Sequence, residues 1–484
     1  MSDAAAIEMK PPKSGASEMI PVFNPSTEER IGEVIDSDKA AVDRAVARAR
    51  ETFEAGVWRL MPATRKADVL WRAADIIKRR VDELADIEAR DNGMSRTHAR
   101  NLILASTEML YYNAGWCTKM HGQAVDIIAD TGITGTPAEY HGYTLLEPVG
   151  VVAMIIPWNG PFLCALMKLA PALAAGCSCV LKPAEETPLS ALKLEGIFRE
   201  AGLPDGVINV LTGYGETTGA ALSAHPDVDK VAFTGSTEVG KLIVKAAAGN
   251  LKKVMLELGG KSPLIMFDDA DLAKAIPGSA IGLFINSGQN CACTSRIYVQ
   301  RRIYEQAVDG LAKIAKSFRM GGSEDANPDL GPLISAKQRE RVLGIVADDV
   351  RSGATVVTGG KALDRPGYFV EPTLLTGTRP GMRAIREEIF GPVGSVIPFD
   401  EEEEVIAAAN DTDYGLAATV WTENLRRAHR MAKKLETGTV WVNATLAADQ
   451  SMPLGGYKQS GWGYERGWKG IESYLNIKSV HVGL

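Results

Sequence analysis

The sequence predicts an α/β protein of two domains, each built on a mainly parallel sheet with helices on both faces. Three observations carry that expectation. The 484 residues exceed what a single hydrophobic core usually serves. From about residue 145, short apolar runs alternate with segments of helical spacing, and the alternation starts again after Gly260. Hydrophobic residues make up 45% of the chain and charged residues 23%, the balance of a folded globular protein.

Before that alternation, residues 39–55 and 63–79 each carry apolar side chains at helical spacing. These are Val42, Val46 and Phe53 in the first, and Leu70, Ala74 and Ile77 in the second, so both read as amphipathic helices. Next come the strand-like LLEPVGVVAMIIP, the helical PFLCALMKLAPALAAG, CSCVLKP, the helical SALKLEGIFREAG, and GVINVLTG. VDKVAFTGS followed by TEVGKLIVKAAA adds a strand, a turn and a helix. After Gly260 the order is SPLIMFDD, a helix around 271–285, RIYVQ, a helix over 303–318, ATVVTGG, GSVIPF and GTVWVN. The terminal KSVHVGL alternates like a half-exposed strand, of the kind that pairs with another subunit.

Composition excludes several classes of function. A formal charge of −7 with scattered Lys and Arg gives no footprint for nucleic acid. VGVVAMIIPW (149–158) is about half the length needed to cross a bilayer, so no membrane span is expected. The first 20 residues lack a basic start followed by an apolar run, which makes them a loose arm and the cytoplasm the default compartment. Six cysteines in such a chain are expected as thiols. Cys177/Cys179 and Cys291/Cys293 are C-x-C pairs without nearby His, which is not zinc spacing, so no metal is expected.

Five stretches could carry chemistry, and each also has a plain reading. FTGSTEVG (233–240) is a glycine turn opening a helix, able to hold a pyrophosphate or simply to turn the chain. KPAEETP (182–188) sets Lys182 and Glu185 at a sheet's carboxyl edge, as ribose ligands or as solvated charges. LELGGKSP (256–263) places Glu257 between leucines, as a general base or folded back onto backbone amides. Cys291 follows Gly288 and Gln289 in FINSGQNCACTSR, as a nucleophile or as buried filler. PWNGP (157–161) offers the Asn159 amide, as an oxyanion donor or as a turn residue.

Together with EEIFGPV and PLGGYKQSGWG, these stretches occur in the order seen in the NAD(P)-dependent aldehyde dehydrogenase superfamily, which the chain resembles from about residue 20 to its end. The resemblance implies a Rossmann-type NAD-binding domain (21–130 and 149–258), an α/β catalytic domain (259–460) and a small β oligomerisation element (131–148 and 461–484), behind an arm over 1–20. It implies Cys291 as the nucleophile, Asn159 as the oxyanion donor, Glu257 as the base that activates water, and Lys168 with Glu465 as a proton relay. Glu388 and Phe390 match residues that hold the nicotinamide ribose and ring, and Lys182 and Glu185 match contacts to the adenosine ribose. Ile155, Pro157, Trp158, Gly215, Phe233, Gly235, Ser236, Gly240 and Leu258 complete the implied cofactor contacts. An anionic Glu185 favours NAD over NADP. Cys293 is then a packing neighbour of Cys291. A homodimer or homotetramer acting on a small-molecule aldehyde is the implied assembly.

The chain departs from the family pattern where aromatic rings often line the aldehyde tunnel. Gly160, Met167, Ala448 and Leu454 stand at such places, and Tyr464 stands where Arg is common beside Glu465. Removing rings widens a pocket, so a bulky aromatic or long-chain aldehyde is the expected substrate. Tyr112, Trp116 and Phe162 are the side chains able to refill that space, and Phe162 joins Gly160, Met167 and Leu454 as an expected pocket residue. Two other readings remain beside this one: a semialdehyde dehydrogenase that passes its acyl group to coenzyme A, against which Glu257 argues, and a binding protein that kept the fold without the chemistry.

Overall fold

The computed structural model of the protein describes residues 18–130, 135 and 137–483. Most of the expected arm, and residues 131–134 and 136 of the expected oligomerisation element, lie outside the described residues. The arm also ends earlier than residue 20, because Met19–Phe23 is a strand paired antiparallel with Arg30–Ile35.

The two helices read from periodicity span Lys39–Ala55 and Ala63–Arg79. The first starts where the Asp38 side chain accepts from Ala41 N at 2.8 Å, and it stops at Gly56. They lie on opposite sides of a six-stranded sheet. Its order is Gly461–Trp462, Lys253–Glu257, Lys230–Thr234, Val151–Ile155, Ser178–Lys182 and Ile208–Val210, parallel except for the first. Along Val151–Ile155, alternate residues Val151, Ala153 and Ile155 pack with Val42 and Val46, while Val152 and Met154 pack with Leu70 and Leu169. Both faces are therefore covered, which explains the unbroken apolar run in that strand. Between the sheet and Ala63–Arg79 lies the helix Pro161–Ala175, buried along nearly its whole length.

The second domain centres on a seven-stranded sheet ordered Thr355–Thr358, Thr373–Thr376, Val393–Phe399, Arg296–Gln300, Pro263–Met266, Ala417–Trp421 and Thr439–Val442. It is parallel apart from Thr355–Thr358. A third sheet joins Leu475–Gly483 to Pro137–Pro148 and then to Ala124–Asp130. Two expected boundaries shift for reasons of strand pairing. Ala124–Asp130 belongs to this small sheet and not to the cofactor domain. Gly461–Trp462, expected in the oligomerisation element, hydrogen-bonds instead to the strand ending at Glu257. The outer edge of Leu475–Gly483 has no partner strand among the described residues, and Ile477 on it is 64% exposed. Among the described residues, no helix is long and apolar enough to cross a membrane.

Candidate active site

The segment Ile285–Gly288 turns sharply, with Asn286, Ser287 and Gly288 all at positive φ. Only glycine suits position 288, because a Cβ there would collide with the backbone of Gly391. Gln289 is buried and secures the turn: its amide donates to Pro332 O at 3.2 Å and its carbonyl accepts from Ile334 N at 2.9 Å. Cys291 follows two residues later, half-buried at the centre of a cleft of about 1310 Å³. Gly260 permits this, since a side chain there would strike Cys291 O. Cys293 points the other way, its thiol donating to Leu283 O at 3.3 Å within the core of the second domain.

Asn159 reaches the same place from the first domain. Its Nδ2 donates to Gln289 O at 3.0 Å, and its own carbonyl accepts from Asn286 Nδ2 at 3.0 Å. An amide nitrogen carries two hydrogens, so one remains for the cleft. Glu257 also lines the cleft; it is 5% exposed, and its Oε1 has no hydrogen-bond partner among the described residues. Burial first, and then the Glu465 carboxylate, hold its pKa well above the usual carboxylate range. Burial likewise pushes the Cys291 thiol well up, with Glu388, Cys164 and Glu257 adding to the rise. Behind Glu257, Lys168 and Glu465 form an ion pair with both side chains buried. Leu454 and Glu465 are bridged by two reciprocal backbone hydrogen bonds of 2.7 Å.

The remaining residues expected at the site divide into three groups. Pro157, Trp158, Gly235, Ser236, Leu258, Glu388 and Phe390 line the cleft with Cys291. Glu388 Oε1 accepts from Gly260 N at 3.1 Å, and burial raises its pKa to about 7. Phe390 lies edge-on to Trp158, ring centres 5.1 Å apart. Ile155, Lys182 and Phe233 at strand ends, Glu185 in the turn after Lys182, and Gly240 in the helix Thr237–Ala247 are not among the residues lining the cleft. Lys182 Nζ donates to Glu185 at 3.1 Å, and Gly240 leaves room for Leu258. Ser236 caps the helix Thr237–Ala247, accepting from Val239 N at 3.3 Å. Gly215 is exposed at the start of a separate short helical turn.

Gly160, Met167, Ala448 and Leu454 also line the cleft, and a side chain added at Gly160 would meet nothing within 4 Å. Phe162 does not. It is fully buried in the core because the second residue of its helix turns inward, and Leu163 takes the cleft-facing place. Trp116 also stays away, packed on Trp468 at 4.9 Å, whereas Tyr112 does line the space. Met109 and Tyr112 come from the helix Arg96–Trp116, which periodicity did not reveal, and Arg466 comes from a loop without any pattern.

The profile of the aldehyde dehydrogenase family matches residues 12–480. An aldehyde dehydrogenase of Emericella nidulans is 46% identical over 464 residues, covering 96% of this chain and 91% of its own. Human retinal dehydrogenase 2 is 43% identical over 472 residues, covering 97% of this chain and 89% of its own. The solved NAD+ complex of an aldehyde dehydrogenase from Bacillus cereus superposes with a TM-score of 0.93 at 45% identity, covering 96% of this chain and 94% of that one. The chain belongs to the aldehyde dehydrogenase family.

Proposed function

We propose that this protein oxidises bulky aromatic or long-chain aldehydes to carboxylic acids, with NAD as oxidant. The observation that carries the reading is that Cys291, Asn159 and Glu257 meet on one cleft of about 1310 Å³ whose lining is more apolar than polar. The residues present fit NAD: an acid–base pair at a strand end, Lys182 with Glu185, suits a ribose diol. The capped helix start at Ser236 suits a pyrophosphate, and Glu388 beside Cys291 suits the second ribose.

Cys291 Sγ attacks the aldehyde carbon, and its proton passes to a base as the carbonyl oxygen gains charge. The free Asn159 amide hydrogen and the Cys291 backbone N–H stabilise that oxygen. Oxidation of the Cys291 adduct to a thioester needs a hydride acceptor, which NAD would supply if held by Lys182, Glu185, Ser236 and Glu388. Glu257 then removes a proton from the water that cleaves this thioester. Its raised pKa makes it a stronger base than an exposed glutamate. The Lys168–Glu465 pair behind it carries the proton onward. Association into homodimers or homotetramers through the free strand edge belongs to the same reading.

The test is NADH absorbance with a panel of aldehydes, with and without coenzyme A. Each CH2 left unburied forfeits about 0.8 kcal/mol. Benzaldehyde or a long-chain aldehyde should therefore exceed acetaldehyde in kcat/KM by about tenfold or more, with no response to coenzyme A. Gly160→Phe with Leu454→Phe should depress the bulky substrate more than propanal. A parent enzyme that works best on acetaldehyde would remove the wide-pocket argument.

Cofactor choice gives a separate expectation. A 2'-phosphate of about −2 charge set against the Glu185 carboxylate is repelled, so NADP should give a much lower kcat/KM than NAD. Glu185→Ser should narrow that gap. Equal kcat/KM for the two cofactors in the unaltered protein would show that Glu185 does not face the 2'-hydroxyl.

A further inference from the structure

Three arginines line the cleft, and two are spoken for. Arg341 donates to Ile389 O and Glu388 O, both at 2.8 Å. Arg386 donates to Pro380 O and to Asp411, both at 2.6 Å. Arg466 makes no hydrogen bond or ion pair through its guanidinium among the described residues, and its Nε is cut off from solvent. A half-buried guanidinium whose Nε is shut off from water without an acceptor is unfavourable, and its own backbone adds to the cost: Arg466 has φ +60°, a conformation that L side chains adopt rarely.

Arg466 lines the cleft with Ala448, Leu454 and Glu465. The reciprocal hydrogen bonds between Leu454 and Glu465 fix the chain immediately before it, and its charge is felt at Cys164 and Glu257. Nearby carboxylates are engaged elsewhere: Glu465 with Lys168, Glu108 facing Lys78 at 3.7 Å, and Asp449 accepting from Ser451 N at 2.7 Å. Glu257 makes no ion pair with it within 4 Å.

We infer that Arg466 receives a carboxylate carried at the far end of the aldehyde, so that the preferred substrates are aldehydes whose ring or chain also bears an acid. The inference refines the bulky-aldehyde reading above and rests on it. A planar guanidinium fork matches a carboxylate in two hydrogen bonds, and inside a cleft such a bond is little screened.

Matched pairs test it: 4-carboxybenzaldehyde against 4-methylbenzaldehyde, 6-oxohexanoate against hexanal, and 4-oxobutanoate against butanal. In the parent protein the acid of at least one pair should have the higher kcat/KM, chiefly through KM. Arg466→Leu should cut that acid-to-neutral ratio by about tenfold or more, ~1.4 kcal/mol, while Arg466→Lys should keep part of it. A ratio unmoved by Arg466→Leu overturns the inference. So does an equal loss on both members of the pair, which would mean that the guanidinium serves Glu257 or the 454–465 bridge. If the four-carbon pair outruns both larger ones, the bulky-aldehyde reading has failed, and the ratio within that pair still reports on Arg466.

Discussion

Cys291→Ala should abolish aldehyde oxidation, lowering kcat/KM by about 10⁴-fold or more, because the other thiol lining the cleft, Cys164, is buried and burial pushes it up to about 12. NAD binding, read by quenching of protein fluorescence, should survive, since Lys182 and Glu185 stand apart from the thiol. Cys293→Ala should keep most of the activity, because that thiol faces the core and donates to Leu283 O. Alkylation with an aldehyde-competitive reagent followed by mass spectrometry separates the two. Labelling of Cys293 in place of Cys291 would refute the assignment.

Glu257→Gln should let the thioester form and then stall. The expected trace is a burst of NADH near one equivalent per site, followed by a steady rate lowered by about 10²- to 10⁴-fold. Glutamine keeps the shape of the side chain at the end of its strand, so the loss reports the base and not the fold. A normal steady rate without accumulated acyl-enzyme would take Glu257 out of that role. In the parent enzyme, burial holds both the thiol and this carboxyl above their ordinary pKa values, so the rate should rise with pH as each loses its proton.

Much of the fold was legible because the local patterns and the packing agree. The helices Lys39–Ala55 and Ala63–Arg79 show the spacing of one buried stripe, and the strands from Val151 to Glu257 show the unbroken apolar runs of a sheet covered twice. The helix Arg96–Trp116 was missed because its polar residues Ser106, Thr107 and Asn113 are buried among its apolar ones, which blurs the periodicity. Its Met109 and Tyr112 went unseen with it. The motif residues Cys291, Asn159 and Glu257 were found through glycine turns and motif order, whereas their meeting depends on contacts such as Asn159 to Gln289, 130 positions apart. Phe162 was misplaced because adjacent residues of a helix face different directions, and the sequence shows only that both it and Leu163 are apolar. Arg466 carried no signal at all, since its isolation is a property of its neighbours.

Burial first, and then Glu388, Cys164 and Glu257, push the Cys291 thiol well up, which favours the protonated sulfur. Peroxides attack thiolates far faster than thiols. That bias holds this sulfur in the form less open to conversion to sulfenic and then sulfinic acid. Cys293, with a thiol pushed up to about 12, supplies no ready thiolate to close a disulfide either. Vulnerability is confined to the interval after the proton has left, when an aldehyde in the cleft competes with the oxidant for the same sulfur.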